Sequence, residues 1–188
     1  MHATLLGILG LALLGALHAQ DGVPVQPDFQ QDKITGRWYS IGLASNSNWF
    51  KEKKHLMKMC TTVISTTADG NLEVTSTYPK PDKCQTFELL FQRSGQAGHY
   101  MGTIWGPLAA QEKRELHVVE TDYSHYAIVH QLQQSGQEPS IALQLLTREQ
   151  DVSPQLLQKL EELIPTMGLT KDMLAVLPKS GKCQEGVG

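Results

Sequence analysis

The chain contains three cysteines, Cys60, Cys84 and Cys183. An odd count allows one bridge and leaves one thiol over. Cys60 lies within "EKKHLMKMCTTVI" (52–64), a stretch patterned like a β-strand. It can be a buried filler, half of a disulfide, or a working nucleophile. As a nucleophile it must ionise, and hydrogen-bond donors aimed at the sulfur lower a thiol pKa. Side chains two apart share a strand face. Thr62 therefore accompanies Cys60, Ser40 accompanies Trp38, and Ser76 accompanies Val74 and Tyr78. If these faces all turn inward, the hydroxyls of Ser40, Thr62 and Ser76 can converge on one sulfur. A cavity built only for apolar cargo would instead be lined with apolar groups. Met57 and Met59 fall on the face opposite Cys60 and are expected to pack under a helix.

Positioning such a cluster requires a sheet, and short strand signals run through most of the chain. They are RWYSIGLAS (37–45), LMKMCTTVIST (56–66), NLEVTSTY (71–78), CQTFELLFQR (84–93), HYMGTIW (99–105), RELHVVE (114–120), HYAIVHQL (125–132) and SIALQLLTR (140–148). The Asp-Gly turn in "ADGN" (68–71) separates the second from the third. Eight short strands at hairpin spacing predict an all-β fold, either a sandwich or an antiparallel up-and-down barrel. A barrel of this size can hold one small ligand. One helix follows: Ser153 caps it, Pro154 fits its first turn, Leu156, Leu157, Leu160, Leu163 and Ile164 form its apolar face, and Pro165 stops it.

Residues 4–17 are apolar and uncharged, the length of a signal-peptide core and too short for a membrane span. Cleavage after Ala19 is expected, leaving one domain over 20–188 in a secreted protein that passes through the endoplasmic reticulum and Golgi. Retention at perinuclear or endoplasmic-reticulum membranes, with peripheral membrane association, is a further expectation. A formal charge of -3 gives no reason to expect a nucleic-acid partner. No Asn fits the Asn-x-Ser/Thr acceptor pattern. The seven histidines show no paired spacing for a metal. His117, His125 and His130 read as strand residues of the surface or core.

Three ordered motifs distinguish the barrel from the sandwich. Gly36-x-Trp38 opens the first strand, Thr121-Asp122-Tyr123 joins two late strands, and Arg148 ends the last strand before the helix. At these spacings they resemble the signatures of the lipocalin family, over roughly Val25 to Cys183. The resemblance implies an eight-stranded calyx with the C-terminal helix packed outside. Trp38 would plug the floor, with Arg148 stacked on it as a cation–π partner.

Within the family, "VQPDFQQDKITGRWYSIGLASNSNWFKEKKHLMKMC" is similar to the prostaglandin D synthase branch. "TREQDVSPQ" through "KDMLAVLP" also resembles a sister secreted lipocalin that lacks the cysteine and has no known chemistry. The synthase resemblance makes Cys60 the nucleophile and Ser40, Thr62 and Ser76 its supporting hydroxyls. It implies isomerisation of prostaglandin H2 to prostaglandin D2, with no bound cofactor and with glutathione or another thiol as co-substrate. It also implies carriage of retinoids, bile pigments and fatty acids by a monomer. Lys51, Lys53 and Lys54 are candidates for the substrate carboxylate, and Trp49, Val74, Tyr78 and Trp105 for the ligand-binding wall. The same resemblance pairs Cys84 with Cys183, closing a loop of about 100 residues and leaving Cys60 free. One departure stands out: Leu146 occupies a position where the synthases have tyrosine. The alternative reading is a secreted carrier of small hydrophobic ligands without catalysis.

Overall fold

The computed structural model describes residues 22–103, 112–135, 138–151, 153–179 and Cys183; the expected leader and Trp105 lie outside the described residues. Eight antiparallel strands form the body: β1 (Gly36–Ser45), β2 (Cys60–Thr66), β3 (Leu72–Pro79), β4 (Cys84–Arg93), β5 (His99–Thr103), β6 (Glu112–Thr121), β7 (Tyr126–Ser135) and β8 (Glu138–Thr147). Each pairs with the next, and β1 also pairs with β8, so the sheet closes on itself as a barrel. Closure satisfies the ladder groups that an open sheet would leave at its edges. A ninth strand, β9 (Leu174–Val176), pairs with Gly42–Ala44 of β1, beyond the Gly36–Ser40 stretch that β2 occupies.

Side-chain alternation sorts the apolar residues into two cores. Trp38, Ile64, Val74, Phe91, Tyr100 and Leu146 pack together inside the barrel. Ile41, Met59, Leu143 and Leu145 pack outside it against Leu160 of the helix α2 (Pro154–Leu163) and Ile164 at its C-cap. Met57 joins this outer core. The sequence signals for α2 are realised: the Ser153 side chain accepts a hydrogen bond from the Leu156 N–H, and Pro154 opens the helix. After Leu163 the chain tightens into a 3-10 turn at Pro165–Met167, which ends at Gly168 with φ +78. Glycine reaches this left-handed conformation without the usual steric cost.

A β-bulge changes the parity of β1. The register passes from Ser40↔Leu146 to Gly42↔Leu145, so Ile41 is an extra residue on that strand. Ile41 is buried in the outer core. A Cβ at Gly42 would meet Leu160 Cδ2 at 2.9 Å, so Gly42 also faces α2 and has no room for a side chain. Strict alternation therefore holds through Trp38 and Ser40 and reverses beyond them.

Three expectations are corrected. Residues 56–59 are not strand: Lys54–Leu56 is a 3-10 turn and β2 begins at Cys60. The segment between carries Met59, whose N–H bonds to the Pro178 carbonyl at 2.9 Å instead of to a neighbouring strand of the barrel. His125 lies in the turn between β6 and β7, with its ring 2.7 Å from Asp122 Oδ2. A short helix, α1 (Asn48–Lys53), precedes the 3-10 turn, capped by Ser47 accepting from the Phe50 N–H.

His99, His117 and His130 occupy one register row across β5, β6 and β7. The rings of His99 and His117 stack with centroids 4.2 Å apart, and those of His117 and His130 meet edge-on at 5.8 Å. Glu115 accepts from or pairs with His99 Nε2 at 3.0 Å. Among the described residues, the buried Nδ1 atoms of His117 and His130 find no hydrogen-bond partner.

Candidate functional site

One end of the barrel is sealed by the three sequence motifs acting together. Trp38 is fully buried and its indole N–H donates to the Ile34 carbonyl at 2.9 Å. The Arg148 guanidinium carbon lies 3.6 Å from the Trp38 ring centroid. Its N–H groups donate to the carbonyls of Tyr123 at 3.0 Å, Arg37 at 2.9 Å, Thr35 at 2.9 Å and Lys33 at 3.3 Å. One planar cation thus ties β1, the segment before it and the β6–β7 turn into a floor. Gly36 makes this possible: its φ is +106, and a Cβ there would sit 3.0 Å from Arg148 Nη1.

Thr121, Asp122 and Tyr123 shape the turn that Arg148 holds. The Thr121 hydroxyl donates to the Tyr126 carbonyl at 2.6 Å and accepts from the Tyr123 N–H at 2.9 Å. Asp122 Oδ1 accepts from the backbone N–H groups of His125 and Tyr126 at 2.8 and 3.0 Å. Partial burial opposes ionisation of Asp122, but these bonds and the His125 ring outweigh it and hold the carboxyl below its ordinary range.

Above this floor, register brings the predicted chemistry onto one wall. Ser40 is opposite Cys60, Trp38 is opposite Thr62, and Thr62 is opposite Ser76. Since Trp38 faces inward, its direct partners do as well. Val74 is buried in the inner core, and the Tyr78 ring stacks on Phe87 at 5.1 Å. Ser40 and Thr62 are buried, whereas Cys60 is half-buried.

The hydroxyls share the wall with the sulfur, yet each bonds elsewhere. Thr62 Oγ1 and Ser76 Oγ bond each other at 3.2 Å. Ser40 Oγ accepts from the Gln144 side-chain amide at 2.7 Å. The Cys60 thiol makes a long contact, 3.6 Å, to the Lys58 carbonyl. Burial pushes this thiol up from 9.0 to about 11, so in this arrangement it is neutral near pH 7. The Tyr78 phenol is also pushed up, by burial first and then by the charge Cys60 would carry.

Lys51 and Lys53 sit in the last turn of α1, and Lys54 Nζ donates to the Asp172 carbonyl in the segment after α2. Trp49, on α1, is 62% exposed and packs in neither core. Cys84 and Cys183 form a disulfide, leaving Cys60 as the free cysteine. Thr61 Oγ1 donates to the Cys183 carbonyl at 3.2 Å, which fastens the C-terminal segment to β2 beside Cys60.

Leu146 is buried in the inner core directly opposite Ser40, so an apolar side chain stands where a phenol was expected. Gln144 went unrecognised in the sequence. It lies two residues before Leu146 and therefore on the same face, so a polar residue at an inner strand position was its available signal.

The family model for the lipocalin / cytosolic fatty-acid binding protein family matches residues 35–181. A protein from Rhinella marina named "Lipocalin" is 42% identical over 177 residues, covering 94% of this chain and 95% of that one. A "Prostaglandin-H2 D-isomerase" from Equus caballus is 40% identical over 193 residues, covering 98% and 96%. Its counterpart from Mus musculus is 38% identical over 181 residues, covering 93% and 94%. Among solved structures, the chain described in "The Siderocalin Ex-FABP functions through dual ligand specificities" superposes with a TM-score of 0.68 at 28% identity, covering 79% of this chain and 95% of that one. A closed eight-stranded barrel with an outer helix, its floor motifs and a match across residues 35–181 place this chain in the lipocalin / cytosolic fatty-acid binding protein family.

Proposed function

We propose that this protein converts prostaglandin H2 to prostaglandin D2 at Cys60 and also carries small lipophilic molecules such as retinoids, bile pigments and fatty acids. The observation that carries the reading is a free thiol on a barrel wall whose neighbouring inward positions are Ser40, Thr62 and Ser76. Full-length relatives named prostaglandin-H2 D-isomerase support it. In the reaction the thiolate attacks one peroxide oxygen; an S–O bond forms, the O–O bond breaks, and the other oxygen leaves as an alkoxide that takes up a proton. A proton then departs from the carbon bearing the S-bound oxygen, its electron pair forms the carbonyl, and the S–O bond breaks to return the thiolate. Atoms and electrons balance without an external oxidant. No bound cofactor is required, and glutathione or another thiol sustains turnover.

A carrier without catalysis is the second reading, and the elevated pKa of the Cys60 thiol favours it. The two separate in one experiment. Purified protein supplied with prostaglandin H2 and glutathione forms prostaglandin D2, and Cys60→Ala abolishes this while retinoid quenching of tryptophan fluorescence persists. Turnover by neither protein leaves the carrier, and equal turnover by both takes the chemistry away from Cys60.

A further inference from the structure

We propose that Gln144 is a positioning residue for the Cys60 thiolate, acting through Ser40. The inference rests on the reading that ionised Cys60 is the working group. Ser40 is 1% exposed and sits on β1 between two strands, with Cys60 its direct partner on β2 and Leu146 its direct partner on β8. Gln144 Nε2 donates to Ser40 Oγ at 2.7 Å. An amide NH2 has no acceptor capacity, so the serine oxygen must be the acceptor in this bond and its single proton must point elsewhere. The Leu146 side chain is hydrocarbon and cannot take it. Cys60 can, and directly opposed residues have their Cβ atoms only about 4.5–5.5 Å apart.

The amide does more than leave that proton available. Donation into Ser40 Oγ polarises its O–H bond, and bonds in such a chain strengthen one another. In the neutral state the Cys60 S–H contacts the Lys58 carbonyl, an interaction that only the protonated form can make. Loss of the proton removes that tie and makes the sulfur an acceptor for Ser40. A hydrogen bond made to the charged form alone lowers the pKa, opposing the effect of burial. The chain Gln144→Ser40→Cys60 thus supplies polar support from β8 beside the position where Leu146 supplies none.

The test reads thiol ionisation rather than turnover, in the intact disulfide-bonded protein. Iodoacetamide alkylation of Cys60 is followed across pH 7–10, with Cys60→Ala as the blank. Gln144→Leu is expected to slow alkylation severalfold at any pH below the thiol midpoint, less than the roughly tenfold of one hydrogen bond to a charged group, because the amide bonds the neutral Ser40 hydroxyl and not the sulfur. Ser40→Ala should slow it at least as much, and Ser40→Ala with Gln144→Leu should be no slower than Ser40→Ala alone. Gln144→Met serves if the leucine variant does not fold. An unchanged profile for Gln144→Leu or Gln144→Met overturns the inference, as do additive effects of the two substitutions. Absence of prostaglandin D2 formation by wild type, with the expected alkylation pattern intact, sinks the isomerase reading and leaves the role of Gln144 standing.

Discussion

Acid should loosen the barrel through His117, and the size of the effect follows from its surroundings. Burial first, then the neighbouring rings of His99 and His130, depress its pKa from 6.5 to about 4, against a smaller opposing pull from Glu115. A depressed histidine binds its proton more readily in the unfolded chain. The folded state is therefore undisturbed above pH 6.5 and loses stability as the pH falls from there toward 4. With these two values the loss reaches about 2.5 kcal/mol near pH 4.5, as a ceiling because half-burial lets solvent screen part of the charge. His117→Phe keeps a ring for the stack on His99 and removes a buried Nδ1 that finds no hydrogen-bond partner among the described residues. Urea unfolding at pH 7 should show the variant equal to or more stable than wild type. Between pH 7 and about 4.5 the wild-type midpoint should fall by roughly 1–2 M more than that of the variant, taking an m-value of about 1–3 kcal/mol/M. Equal shifts in the two proteins would show that His117 titrates normally and that the imidazole row does not resist protonation.

Two further stability predictions concern the floor and the disulfide. Arg148→Met keeps the stem over Trp38 but strands the carbonyls of Tyr123, Arg37, Thr35 and Lys33. It should cost about 2–4 kcal/mol, read as a fall of roughly 5–15 °C in Tm by circular dichroism; a fall under about 2 °C would show that the floor does not depend on that cation. Replacing Cys84 and Cys183 with serine releases a link spanning 99 residues of sequence. On the chain-entropy account this should cost about 4–5 kcal/mol, seen as an earlier urea midpoint with Cys60 still free to alkylate; an unchanged midpoint would show that the Thr61 contact alone anchors the tail.

The sequence displayed the fold because its signals were local and mutually consistent: hairpin spacing, an Asp-Gly turn, a capped amphipathic helix and three motifs at the barrel floor. It failed where the outcome depended on contacts between distant segments. The bulge at Ile41 has no composition signal; it reflects the outer core claiming Ile41 and Gly42 together against α2. Alternation of Met57 and Met59 mimicked a strand, but those side chains answer to the outer core and the Pro178 carbonyl. The helix α1 was legible after all, since Ser47 is an ordinary N-cap before "NWFKEK". Parity could place Ser40, Thr62 and Ser76 on inward faces, but register was needed to set Ser40 opposite Cys60 and Ser76 opposite Thr62, and only side-chain geometry revealed that Gln144 and the Thr62–Ser76 pair already engage them.

That prior engagement limits what the wall can do for the sulfur. In the Thr62–Ser76 pair one hydroxyl donates to the other, so the pair retains a single proton for any third group. Ser40, held as an acceptor by Gln144, retains one more. Two hydroxyl donors are therefore the most these three side chains can direct at a thiolate, and the Lys58 carbonyl competes by holding the proton on the sulfur. Desolvation raises this thiol to about 11, so each donor must lower it by more than one unit for the thiolate to be appreciable near pH 8. A lipophilic ligand filling the barrel would deepen the desolvation and favour the thiol, whereas a ligand whose polar group binds the Lys58 carbonyl would release the sulfur to Ser40. Isomerase and carrier thus differ less in which residues are present than in where one proton resides. Alkylation of Cys60 measured with and without a bound retinoid reads that balance directly: slower reaction in the filled barrel at constant exposure places the proton on sulfur, and unchanged reaction would show that the wall, not the cargo, sets it.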